Sequence, residues 1–230
     1  KTLSWFFIVL TALMTAFSLF PSCAKFVRRG KLLAVSGSFM VSLLLLLLSC
    51  CIYTHGDWFF IALTAVLFAF SVIFLPIFLA LYPVPKAVKR NTPIISVGAD
   101  FVLLLALILA CEFGRWSGFL RGVEISALCF VPVFATAAIL SYVKANGWTK
   151  AAFLCVLWGT FFLFADALVS LIYHQPYAFK INLACWEEEY LNGNIIFVTW
   201  LSAFLCGLAL FIVGIVKRGE KRKKPSENNN

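Results

Sequence analysis

The chain is 230 residues long, 63% hydrophobic and 13% charged, with a formal net charge of +9. Soluble domains carry about 25% charged residues, so a water-soluble fold is excluded and most apolar side chains must face lipid. The positive charge does not spread as a nucleic-acid surface would; it gathers in the loops between apolar stretches.

Those stretches, in chain order, are Leu3–Phe20, Leu32–Tyr53, Trp58–Tyr82, Ile94–Phe113, Gly122–Val143, Lys150–Tyr173 and Ile195–Val216. Each is close to the roughly 20 residues that cross a hydrocarbon core of about 30 Å. Only a helix satisfies its own backbone polar groups there. The expected fold is all-α, an integral membrane helical bundle of seven transmembrane helices built from repeated helix hairpins over residues 1–217. Residues 218–230 read as a basic, disordered cytoplasmic tail.

Charge sets the expected orientation. Lys25, Arg28, Arg29 and Lys31 lie between spans one and two, and Lys86, Lys89 and Arg90 between three and four. Lys144 and Lys150 separate five and six, and six further basic residues follow span seven, from Lys217 to Lys224. One side therefore holds 15 of the 19 basic residues, leaving Lys1, Arg115, Arg121 and Lys180 on the other. The positive-inside rule makes the first side cytoplasmic. The expectation is a plasma-membrane protein with its C-terminus cytoplasmic and Lys1 extracytoplasmic.

An internal repeat refines this picture. WFFIVLTALMTAFS at Trp5–Ser18 and WFFIALTAVLFAFS at Trp58–Ser71 agree at 10 of 14 positions. A fainter copy begins at Arg115–Trp116. The unit is an outward helix, a short outer turn bearing a Trp, an inward helix and a basic inner loop. Span one is then the inward half of a hairpin, and the chain is expected to be a fragment of a protein with at least eight spans.

The repeated WFFI-x-LTA-x-x-x-AFS, with CCIYTHGDW and EEEYLNGNIIF, resembles the membrane portion of a family of multi-pass proteins from Clostridia-like, Gram-positive bacteria. The resemblance covers nearly the whole chain. Many members carry a cytoplasmic helix-turn-helix or zinc-ribbon domain ahead of the spans. The resemblance thus implies a membrane-tethered regulator, touching DNA only through an N-terminal domain absent from this chain.

Two carboxylates interrupt spans, and an intramembrane acid is by default a functional hypothesis. At 1.5 Å per residue, Asp100 lies about 9 Å into span four and Asp166 about 24 Å into span six. Some 15 Å of depth separates them, too much for a direct pair. Each is expected either to bond a hydroxyl on a neighbouring helix or to reach for its interface; transport or sensing is the alternative.

Cys50, Cys51, His55, Cys111, His174 and Cys185 fall near the outer face, but without a C-x-x-C or H-x-x-x-H spacing. No metal and no cofactor is expected. Pro76 and Pro132 should kink spans three and five. Gly207 and Gly214 in span seven, and Ser36, Gly37 and Ser38 in span two, allow close helix approach. The long outer segment His174–Asn194 suggests an interfacial half-helix anchored by Trp186.

Several classes drop out. Span seven lacks the Lys of a retinal protein, and LALYPVP and LALFIVGIV stand where a G-protein-coupled receptor would carry its signatures. There is no P-loop, H-E-x-x-H or G-x-S-x-G, so an enzyme is not expected. The sequence points first to a membrane anchor or sensor whose one certain partner is the lipid bilayer. A small permease using Asp100 and Asp166 is the alternative.

Overall fold

The computed structural model describes residues 4–17, 31–175 and 180–227. The helices are α1 (Ser4–Phe17), α2 (Lys31–Thr54), α3 (Phe59–Leu81), α4 (Lys86–Arg90) and α5 (Thr92–Cys111). They continue with α6 (Trp116–Tyr142), α7 (Gly147–Ile172) and α8 (Glu188–Glu227). No strand occurs among the described residues. Six helices, α2, α3, α5, α6, α7 and α8, are long and apolar enough to cross a membrane.

The seventh expected span is present only as α1, an apolar helix of 14 residues. At 1.5 Å per residue that is about 21 Å, short of the hydrocarbon thickness. The ends assigned to it, Leu3 and Phe20, lie outside the described residues, as do Lys1, Lys25, Arg28 and Arg29.

The burial pattern is the reverse of a soluble protein. Buried positions are small or polar, among them Ser36, Ser42, Ser96, Ser126, Ala137 and Ala152, whereas Leu171 and Phe60 are about 70% and 69% exposed. In water such a surface would aggregate. In lipid it is the expected state, because tails solvate large side chains while small residues let helices approach.

The chain forms two compact units, residues 1–123 and 124–230. In the first, α1 packs on α2, and α3 packs on both α2 and, more extensively, α5. An aromatic ladder runs along α3: Phe70, Phe74, Phe78 and Tyr82 follow at four-residue steps with centroids 5.1 to 6.0 Å apart. Phe39 of α2 stacks on Phe70 at 6.0 Å. Four-residue spacing puts these rings on one helix face, so the ladder zips α3 to α2. α3 continues unbroken through Pro76.

In the second unit α7 and α8 pack over their length through small residues. A Cβ on Gly159 would stand 2.8 Å from Ala203 Cβ, and one on Gly207 would stand 3.2 Å from the Ala152 carbonyl. Gly214 abuts Thr149 in the same way. Gly207 and Gly214 thus serve the close approach expected of them. Gly37 in α2 does not, since a Cβ there would meet nothing within 4 Å. Pro132 is fully buried in α6, which also runs unbroken through it.

α8 departs from its sequence reading at both ends. It starts at Glu188 rather than Ile195, because Glu188 and Glu189 in the first turn complement the helix dipole. It runs to Glu227 rather than ending near Val216, so the backbone of the expected disordered tail is helical through residue 227. Lys, Arg and Glu are good helix formers, and an apolar helix already nucleated needs only propagation.

Candidate functional site

Among the described residues, buried polar atoms without a partner occur at Ser141 of α6 and, in the first unit, at three positions on α3 and α5. Ser96 and Asp100 are four residues apart and share a face of α5. Ser96 is buried, at 5% exposure, and its hydroxyl has no hydrogen-bond partner among the described residues; the same holds for Asp100 Oδ1 and Ser71 Oγ. The Asp100 carboxylate therefore has not found, at this oxygen, the hydroxyl partner expected of it.

Asp100 and Ser71 stand at similar distances from the ends of their helices, whereas Ser96 is only four residues, about 6 Å, from the start of α5. Asp100 is eight residues from the start of α5, about 12 Å, and Ser71 ten residues from the end of α3, about 15 Å. Those two helix ends are joined through α4. Ser71 also lines a groove of about 390 Å³ together with Ser36 and Gly37 of α2, the Phe70–Phe78 ladder and Leu103 of α5. Leu103 follows Asp100 by one turn. Of the three unpartnered groups Ser71 lines this apolar groove, while Ser96 and Asp100 lie on α5 outside its walls. Groups of this kind are costly in a low dielectric unless a proton, a water or a small cation satisfies them.

Asp166 differs. It belongs to the second unit, is exposed on α7, and lies six residues before Ile172, about 9 Å from the helix end.

Cys50, Cys51, His55, Cys111, His174 and Cys185 are not gathered into a metal-ligating group among the described residues. The seven described cysteines are free thiols, and no group of three or more His, Cys, Asp or Glu positions for a metal occurs among the described residues. The histidines have a backbone role instead. His55 and His174 adopt φ of 51° and 53°, each just beyond the end of a long apolar helix, α2 and α7. Gly56 N–H donates to the Cys51 carbonyl and His55 N–H to Ile52; Gln175 N–H donates to Ser170 and His174 N–H to Leu171. Both are Schellman caps, a position that usually holds glycine. α2 and α7 therefore end in the same way.

Two asparagines organise the second unit, and the sequence reading missed both. Asn194 is fully buried. Its side-chain oxygen accepts from Asn182 N–H at 2.9 Å, and its amide donates to the carbonyls of Asn182 and Cys185 at 2.8 and 2.7 Å. This clasp folds residues 182–185 against α8. Helix continues from Glu188 through Asn194 without interruption, so the separate half-helix expected here is part of α8. Trp186 is instead 54% exposed, its indole donating to Leu183. Lys180 pairs with Glu189, whose hydrogen bond and then charge raise the lysine above its ordinary value.

Asn146 is the other organiser. It caps α7, accepting from Thr149 N–H at 2.8 Å and from the Thr149 hydroxyl at 2.6 Å, while its amide donates to the Gly214 carbonyl at 2.6 Å. One residue thus starts α7 and ties it to α8. The local signal was an Asn directly before an apolar run; the tie to Gly214, 68 residues away, had none.

These features define a multi-pass α-helical membrane protein. Compared with protein-family profiles, curated proteins and solved structures, the chain gives no match.

Proposed function

We propose that this chain is the membrane anchor and sensor module of a membrane-tethered regulator, with its effector outside the 230 residues. The observation that carries this reading is α8. Its 40 residues measure about 60 Å, twice the thickness of a hydrocarbon core. The surplus beyond Val216 holds Lys217, Arg218 and Lys221–Lys224. A helix continuous from the bilayer into the basic aqueous face couples the two mechanically: tilt or piston motion of its apolar part moves its end. Contact with DNA is then the effector's alone.

The test is a spin label at Lys221, read in bilayers of increasing acyl-chain length. A label whose mobility tracks thickness supports a sensor. A label indifferent to thickness overturns it. A C-terminal fluorescent-protein fusion should be bright and an alkaline phosphatase fusion inactive, as the basic face requires.

A small permease is the second reading, favoured by the unpartnered oxygens of Ser71, Ser96 and Asp100. Proton-driven uptake into vesicles that Asp100→Asn abolishes, with insertion unchanged, would displace the anchor reading.

A further inference from the structure

A cavity in the second unit lies where α7 begins and α8 leaves its apolar run. It measures about 730 Å³ and is lined by Lys144, Asn146, Trp148, Thr149, Lys217 and Arg218, with no acidic residue among its described walls. Three cationic side chains therefore face a space large enough for a headgroup. The ammonium of Lys217 stands 4.5 Å from the centroid of the Trp148 ring, a cation–π contact that holds it beside the cavity.

The backbone adds to this field. Gly147 and Trp148 also belong to the wall and are the first two residues of α7. N–H groups at such positions lack intrahelical acceptors, and the N-terminal end of a helix carries about half a positive charge. Asn146 satisfies only the N–H of Thr149, and its bond to Gly214 fixes the α7 terminus beside the two cations of α8. Lys150, by contrast, is committed to the Leu140 carbonyl. The cavity is thus a rigid, cationic recess with an indole on one wall.

We propose that this recess binds a phosphate oxyanion, supplied by the headgroup of an anionic phospholipid. Three observations combine: the cavity, the three cationic side chains that line it, and the α7 N-terminus held in place between them. The lipid is the source because the recess stands at the level where apolar helix ends. Val216 closes the apolar run of α8 one residue before Lys217, and tryptophans such as Trp148 prefer the headgroup region. Basic pockets between helices at this level suit anionic headgroups. The site stands whether the chain is an anchor or a permease.

Native mass spectrometry tests it. The full chain is extracted from bilayers mixing phosphatidylglycerol with phosphatidylcholine, and retained lipid is counted. Wild type should keep phosphatidylglycerol in preference. The combined exchange of Lys144→Gln, Lys217→Gln and Arg218→Gln should lower that preference by roughly fivefold per charge removed. The matched control removes Lys86, Lys89 and Arg90, on α4 of the first unit, in the same way. Equal loss in the control would overturn the recess and leave only general surface attraction. Displacement of the lipid by inorganic phosphate at constant ionic strength would assign the oxyanion to a soluble source and overturn the lipid. Where the triple variant fails to insert, the single Lys144→Gln exchange on the α6–α7 loop carries the test: unchanged lipid preference there would also overturn the proposal.

Discussion

Asn194 grips Asn182 from both sides of one residue's backbone, accepting from its N–H at 2.9 Å and donating to its carbonyl at 2.8 Å. A side-chain amide can replace a strand neighbour in this way, closing the segment before α8 without sheet. Removing it leaves three backbone groups without their partner. Asn194→Ala should therefore lower stability by about 2 kcal/mol, seen as a lower Tm in detergent. Proteolysis should rise within residues 180–187. An unchanged Tm and cleavage pattern would mean that the segment is held by something else.

The α7–α8 seam predicts a graded series at glycine. A Cβ at Gly214 would come 2.6 Å from Thr149 Oγ1 and 3.2 Å from Asn146 Oδ1, within the cap itself. Gly214→Ala should cost about 1–3 kcal/mol, as overpacking does, and Gly207→Leu more. Gly37→Ala has open space and should stabilise α2 by about 0.5–1 kcal/mol through helix propensity. Thermal unfolding of the three variants in one detergent decides; a Gly37 variant as damaged as the others would contradict the packing.

The left-handed histidines predict a gain. An L-residue in this conformation costs about 1–2 kcal/mol that glycine escapes. His55→Gly and His174→Gly should each raise the Tm, by similar amounts because the two caps share one hydrogen-bond pattern. A loss in either would show that its imidazole makes a contact of greater worth than the relieved strain.

Asp166→Asn should be nearly silent in folding and membrane insertion, since the side chain is exposed near the end of α7 and the amide keeps its shape. Quantifying inserted protein and its Tm checks this. A drop comparable with that of Asn194→Ala would show a buried role that its position on α7 does not suggest.

Hydropathy made most of the helices legible. Leu32–Tyr53 and Trp58–Tyr82 fall within one residue of α2 and α3 at each end, because their apolar and helical limits coincide. α6 and α8 begin six and seven residues earlier than the apolar runs suggested, because helical hydrogen bonding continues into the interface, where Arg121 or Glu188 is welcome. Hydropathy reports the hydrocarbon, not the helix. The intramembrane acids were visible as anomalies of composition, but nothing along the chain distinguished Asp100, with its buried unpartnered oxygen, from the exposed Asp166. Asn146 and Asn194 were passed over because their bonds reach carbonyls elsewhere in the fold. An asparagine's type gives no hint of which backbone it will meet.

The Asn146 cap also bears on how the molecule ages. Asn146 precedes Gly147, the pairing most prone to deamidation in loose backbone, because a glycine N–H can swing round to attack the side-chain amide. Here φ and ψ of −68° and 162° and the bonds to Thr149 and Gly214 hold that amide in one orientation. Conversion to aspartate would replace the donor facing the Gly214 carbonyl with a second acceptor, setting oxygen against oxygen and placing a negative charge in the wall of the cationic recess. The same bonds that begin α7 thus protect it from a chemical clock, and a protein stored partly unfolded should lose that protection first at this residue.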